Sequence, residues 1–206
     1  MKIKKIISTS LIVSSISYLT FEFISIINSS AKIKGYFHTI SELSTPIGQT
    51  RNAIPSNFSP LSSLFNTILI TNGIIFFISI GYYIIKNVEG KIKPILLILS
   101  STTGISTILV GIFHPHTNPP FIHYAATFLV FSCGNLLILL IGLIRNKQIL
   151  IYLPIIGIGG AFLSTIIPKS LLGIAERLGI YSLIIFELLI GIEMINKDKN
   201  KYLGNE

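Results

Sequence analysis

His123-Tyr-Ala-Ala-Thr-Phe-Leu-Val-Phe-Ser-Cys-Gly-Asn-Leu-Leu-Ile-Leu-Leu-Ile-Gly-Leu-Ile144 is a run of 22 residues with no Asp, Glu, Lys or Arg. As an α-helix it is about 33 Å long, which matches the hydrocarbon core of a bilayer. Apolar side chains fall on every face of such a helix, as they do when the surroundings are lipid and not water. Working outward, five more runs of the same kind lie at about 6–28, 63–85, 94–113, 150–167 and 176–195. Pro94 opens the third span, where a missing N–H costs nothing.

Composition agrees with this reading. Of 206 residues, 50% are hydrophobic and only 12% charged, with a mean hydropathy of +0.75. A soluble domain carries about twice that charge. The expected fold is therefore all-α, a polytopic membrane protein with a bundle of six transmembrane helices, forming one transmembrane domain over 1–206. Small residues at three- and four-residue steps are expected to let helices approach closely. They are Ser100, Gly104, Thr107 and Gly111 in the third span, and the pairs Gly157/Ala161 and Gly160/Ser164 in the fifth.

The net charge of +8 has an orientation. Eleven of the 16 Lys and Arg lie on one side of the expected bundle, in the termini and in the turns around Lys86–Lys93 and Arg145–Lys147. Lysine and arginine concentrate in cytoplasmic segments, so both termini are expected to be cytoplasmic. The charge thus implies a multi-pass protein of the cell membrane with lipid neighbours, and no nucleic acid partner. Met1-Lys-Ile-Lys-Lys5 before an apolar run, with Ser29-Ser-Ala31 after it, could also be a cleaved signal peptide. The length of the run and Glu22 within it favour a retained first helix. The lone Cys133 excludes an internal disulfide.

The same orientation collects the uncommon side chains. His38, Glu42, Arg51, His114, His116, His123, Glu176 and Arg177 all fall on the outer side, and Glu22 lies within two turns of it. Three uses compete. His114, His116 and His123, with His38 or a carboxylate, could bind a metal ion as cofactor, although no strong ligand spacing is present. His123 could act in acid–base chemistry with Glu42, Glu176 and Arg177, with hydroxyls at Ser41 and Ser44 nearby. Or the residues are ordinary polar loop residues at a membrane surface.

Two carboxyls fall within the membrane. Glu22 shares a helix face with Ser8, Ser15, Tyr18 and Ser25, which should point into the bundle because a carboxyl facing lipid is costly. Glu187 lies near the middle of the sixth span, three turns after Glu176. It is either part of a proton or cation path, or a neutral acid hydrogen-bonded to Asn72, Asn135 or a serine. Glu193 is expected to be a solvated end residue.

Several stretches resemble a known family. They are Ile40-Ser-Glu-Leu43, Pro60-Leu-Ser-Ser-Leu-Phe-Asn66 with Gly73, Gly104 through Val110-Gly-Ile-Phe113, His123, and Gly173-Ile-Ala-Glu-Arg177 with Tyr181. The pattern resembles the six-helix prokaryotic membrane proteins grouped as domain of unknown function 998, and is distantly similar in plan to the Frag1/DRAM/Sfk1 group. The resemblance implies a six-helix bundle with a retained first helix and no established reaction. It departs at Phe113-His-Pro-His116, where family members carry an acid. Three functions follow as expectations. The first is a non-catalytic accessory subunit, held by partner subunits, or a lipid-interacting bundle with an outward-facing polar site. The second is a membrane enzyme acting on a lipid or headgroup. The third is a small proton- or cation-coupled transporter.

Overall fold

The computed structural model describes residues 2–29, 37, 39–46, 50–51, 54–55, 59–117, 119–168 and 171–202. Among the described residues seven helices run α1 (Lys2–Ile27), α2 (Ile40–Leu43), α3 (Ser62–Asn87), α4 (Lys93–Ile112), α5 (Phe121–Ile144), α6 (Gln148–Ile166) and α7 (Leu172–Tyr202). Six of them are long and apolar enough to cross a membrane. The protein is a multi-pass all-α membrane protein. The long helices lie within a few residues of the expected runs, except that α1 absorbs the basic start and α7 extends into the basic tail. Thr50–Arg51 and Ile54–Pro55 add a two-residue antiparallel pairing in the segment expected to be irregular.

Each long helix packs on its neighbours in sequence, and α7 returns to pack on α1. This closes the bundle. Glu22 meets Arg177, while the Ser8 carbonyl and Leu11 lie against Gly191, so α1 and α7 are antiparallel, and the start of α1 and the end of α7 lie at one end of the bundle. The same end holds Glu193, which is not solvated as expected. Arg145 and Lys147 clamp its carboxylate at 2.5 and 2.6 Å, and its side chain is only 15% exposed. Arg145 also bonds the Tyr83 hydroxyl and stacks over its ring.

The small-residue expectation holds best between α3 and α4. A Cβ added to Gly73 would fall 2.7 Å from the Gly104 carbonyl oxygen. A Cβ on Gly111 would meet the Asn66 carbonyl at 2.9 Å. Backbone meets backbone here, which only glycine permits. In α6 the pairs divide. Gly157 and Gly160 pack on neighbouring helices, whereas Ala161 and Ser164 line an open groove.

Candidate functional site

The end of the bundle opposite the termini is organised around α2, a single turn. Its first-turn N–H groups have no partners within so short a helix, so side chains must supply them. Thr39 and Glu42 form a capping box, with Glu42 N–H donating to Thr39 Oγ1 at 3.1 Å and Thr39 N–H to Glu42 Oε2 at 3.0 Å. Glu176 reaches across from α7 and accepts the Ile40 N–H at 2.8 Å and the Ser41 N–H. Asn66 of α3 donates to the Ser44 carbonyl at 2.9 Å. Glu42 and Glu176, expected as acid–base partners of a histidine, thus hold α2 in place.

His123 lies in the first turn of α5 and is buried. Its Nδ1 sits 2.6 Å from the Phe113 carbonyl oxygen, which can only accept, so Nδ1 carries the proton. Nε2 then accepts, and the Ser41 hydroxyl donates to it at 3.0 Å. Both ring nitrogens are occupied by neutral partners. In this arrangement His114, His116 and His123 are not grouped as a ligand set. Among the described residues no three His, Cys, Asp or Glu side chains are placed to hold a metal ion. His38 lies outside the described residues. Burial and the neighbouring His116 push the His114 imidazole below its ordinary value.

Beneath α2 lies a buried ion pair. Arg177 Nε donates to Glu22 Oε1 at 2.7 Å, and its Nη1 donates to the Gly173 carbonyl. The Tyr181 hydroxyl donates to Glu22 Oε2 at 2.9 Å. The pair's side chains are 5% and 1% exposed. The expected polar face of α1 is buried throughout, at Ser8, Ser15, Tyr18, Glu22 and Ser25. The spacing of Arg177 gave no sign of its partner, 155 residues away.

Deeper still, Glu187 Oε2 accepts from Asn72 Nδ2 at 3.1 Å and Ser15 Oγ at 3.5 Å, while Asn72 also donates to Ser14 Oγ. No basic side chain among the described residues pairs with it. Neutral donors alone suit a neutral acid in the bilayer core. Glu187→Gln is therefore expected to shift stability by less than about 1 kcal/mol, and Glu187→Leu to cost about 1–3 kcal/mol by removing the acceptor of one Asn72 N–H. Thermal unfolding in detergent checks this. Equal losses in both variants would mean that the carboxyl acts as a charge.

Two hollows flank this end. A cavity of about 40 Å³ beneath α2 is walled by Tyr18, Ser41, Thr107, Thr127, Phe131 and Glu176, among others. A groove of about 580 Å³ runs between α5 and α6, along Phe128, Phe131, Ile158, Ala161 and Phe162 to Glu176. Thr127, Phe131 and Glu176 are walls of both.

A family model for proteins of unknown function matches residues 18–193, from the middle of α1 to the clamped Glu193. The chain belongs to the DUF998 family. The match takes in every residue of the α2 end discussed above. It carries no activity, and it does not speak to the Frag1/DRAM/Sfk1 group. No curated protein and no solved structure matches the chain. Within this DUF998 protein the capping box went unread, although Thr39-x-x-Glu42 has the spacing that marks one. Ser41 and His123 were each candidates, but their contact was not legible, because 82 residues separate the two.

Proposed function

We propose that this protein is a lipid-interacting membrane bundle. One acyl chain of a bilayer lipid lies in the groove between α5 and α6, and the polar part of the lipid meets the α2 end. By the distribution of lysine and arginine, that end faces outward and both termini are cytoplasmic.

The observation that carries the reading is the groove. It is cut into two helices that are themselves long and apolar enough to span a membrane, so lipid is its natural neighbour. Phe128 and Phe162 stand on it 69% and 66% exposed, an apolar lining that water would not fill favourably. Ser132, Ser164, Thr165 and Glu176 supply polar groups along it. An amphipathic occupant with a long apolar tail fits that sequence of walls.

Native mass spectrometry in a mild detergent tests this. The wild-type protein is expected to retain one phospholipid-sized or glycerolipid-sized mass. Ala161→Trp, which fills the groove from α6, is expected to lower retention about tenfold with little change in melting temperature. A wild-type protein that keeps no lipid, or an Ala161→Trp protein that keeps as much, would sink the reading.

A further inference from the structure

We propose that Ser41 and His123 form a nucleophile–base pair that cleaves a carboxylic ester of the lipid held in the groove, with Tyr18 donating a hydrogen bond to the oxyanion that develops. This rests on the lipid-binding reading and adds a reaction to it.

The geometry has the parts such chemistry needs. Ser41 Oγ lies 3.0 Å from His123 Nε2, within reach for proton transfer. The Phe113 carbonyl holds the opposite ring nitrogen at 2.6 Å, so the tautomer is the one that leaves Nε2 free to accept. A backbone carbonyl here does the orienting work that a carboxylate does in Ser-His-Asp enzymes. The bond is not needed to anchor α2, because Glu176, Asn66 and the capping box already do so.

Ser41 is also placed to meet a substrate. It lines the 40 Å³ cavity, and that cavity shares three walls with the groove. Each water needs about 10–15 Å³ of such space, so about three waters, or an ester carbonyl, would fit. Tyr18 lines the same cavity, is 1% exposed, and its hydroxyl has no hydrogen-bond partner among the described residues. A buried hydroxyl left unpaired is costly, and a partner brought by a ligand would satisfy it. The walls also select the ester class. Glu176 is acidic and no Lys, Arg or His among the described residues lines the cavity, so a neutral carboxylic ester suits it better than an anionic phosphodiester.

The steps balance with water as the only co-reactant. Ser41 Oγ bonds to the carbonyl carbon as its proton passes to His123 Nε2. The ester C–O bond breaks and the alcohol departs with that proton, leaving an acyl-serine. Water then gives a proton to His123 and attacks the acyl carbon. The carboxylic acid leaves as Ser41 recovers its proton.

The test uses the full chain in mild detergent and a long-chain alkyl fluorophosphonate, with peptide mapping of the adduct. Labelling is expected at Ser41 and is lost in Ser41→Ala. His123→Gln is expected to slow it by about 100-fold or more. Tyr18→Phe is expected to slow it by about tenfold or more while leaving the melting temperature unchanged, since the lost hydroxyl bonds nothing among the described residues. Labelling elsewhere, equal labelling of Ser41→Ala, or no labelling of a folded wild type overturns the proposal. Retained lipid measured on the same samples separates the two readings. Lipid without labelling leaves the binding function standing and Ser41–His123 as a contact only, whereas neither lipid nor labelling removes both.

Discussion

Arg177→Met destabilises the protein by about 3–5 kcal/mol, the cost of leaving one member of a buried ion pair without its partner. The side chains of Arg177 and Glu22 are 5% and 1% exposed, and their 2.7 Å contact joins α7 to α1 where the bundle closes. Removing the guanidinium leaves the Glu22 carboxylate in an apolar interior with only the Tyr181 hydroxyl as donor among the described residues. The carboxyl then has to take up a proton, or draw water between the helices. The double variant Glu22→Leu with Arg177→Met is expected to regain most of the loss, because it removes the stranded charge along with its partner and refills the volume. Thermal unfolding in detergent, followed by helical signal, measures all three. An Arg177→Met protein that melts like the wild type would show that the pair is neither buried nor structural. Arg177 was expected among catalytic candidates. Its bonds to Glu22 and Gly173 give it a structural role beneath the α2 end.

The second large effect is expected at Gly104. A Cβ there would fall 2.7 Å from the Cβ of Phe77 and 2.9 Å from the Gly73 carbonyl oxygen. Neither is the far end of a flexible side chain, so α3 and α4 must separate along the most extensive contact in the bundle. Gly104→Val adds two further carbons and is expected to cost about 3 kcal/mol or more. Gly159→Ala is the matched control. Nothing lies within 4 Å of a Cβ at Gly159, and alanine is the better helix former by about 1 kcal/mol. That variant should melt at or above the wild-type temperature. If the two glycines responded alike, helix propensity and not close approach would be the operative term.

These two expectations differ in how they could have been found. Gly104 was visible as one of a series with Ser100, Thr107 and Gly111, because helix geometry alone puts those residues on one face. Its partner Gly73 was not visible as such. The same limit applies at the candidate site. The polar face of α1 was legible from spacing, and all of Ser8, Ser15, Tyr18, Glu22 and Ser25 are buried. The pairing of Glu187 with Asn72 and a serine was among the readings the sequence left open, and the structure makes it. The histidines show the same limit. Proximity in a loop does not aim imidazoles at one point, and His123 instead turns both nitrogens to Ser41 and Phe113.

Sequence by itself determined that this is a six-span membrane protein, where each span lies, and which faces of α1 and α4 turn inward. Those are one-dimensional properties: the length of an apolar run against the thickness of a bilayer, and the 3.6-residue period of a helix. Only the tertiary structure decided which inward groups meet. Glu22 finds Arg177, Ser41 finds His123, and Glu193 is caught between Arg145 and Lys147. Each of these contacts joins residues at least 46 positions apart. Their partners were set by how six helices pack and by where a single turn of helix is pinned across their end, and no local spacing encodes that.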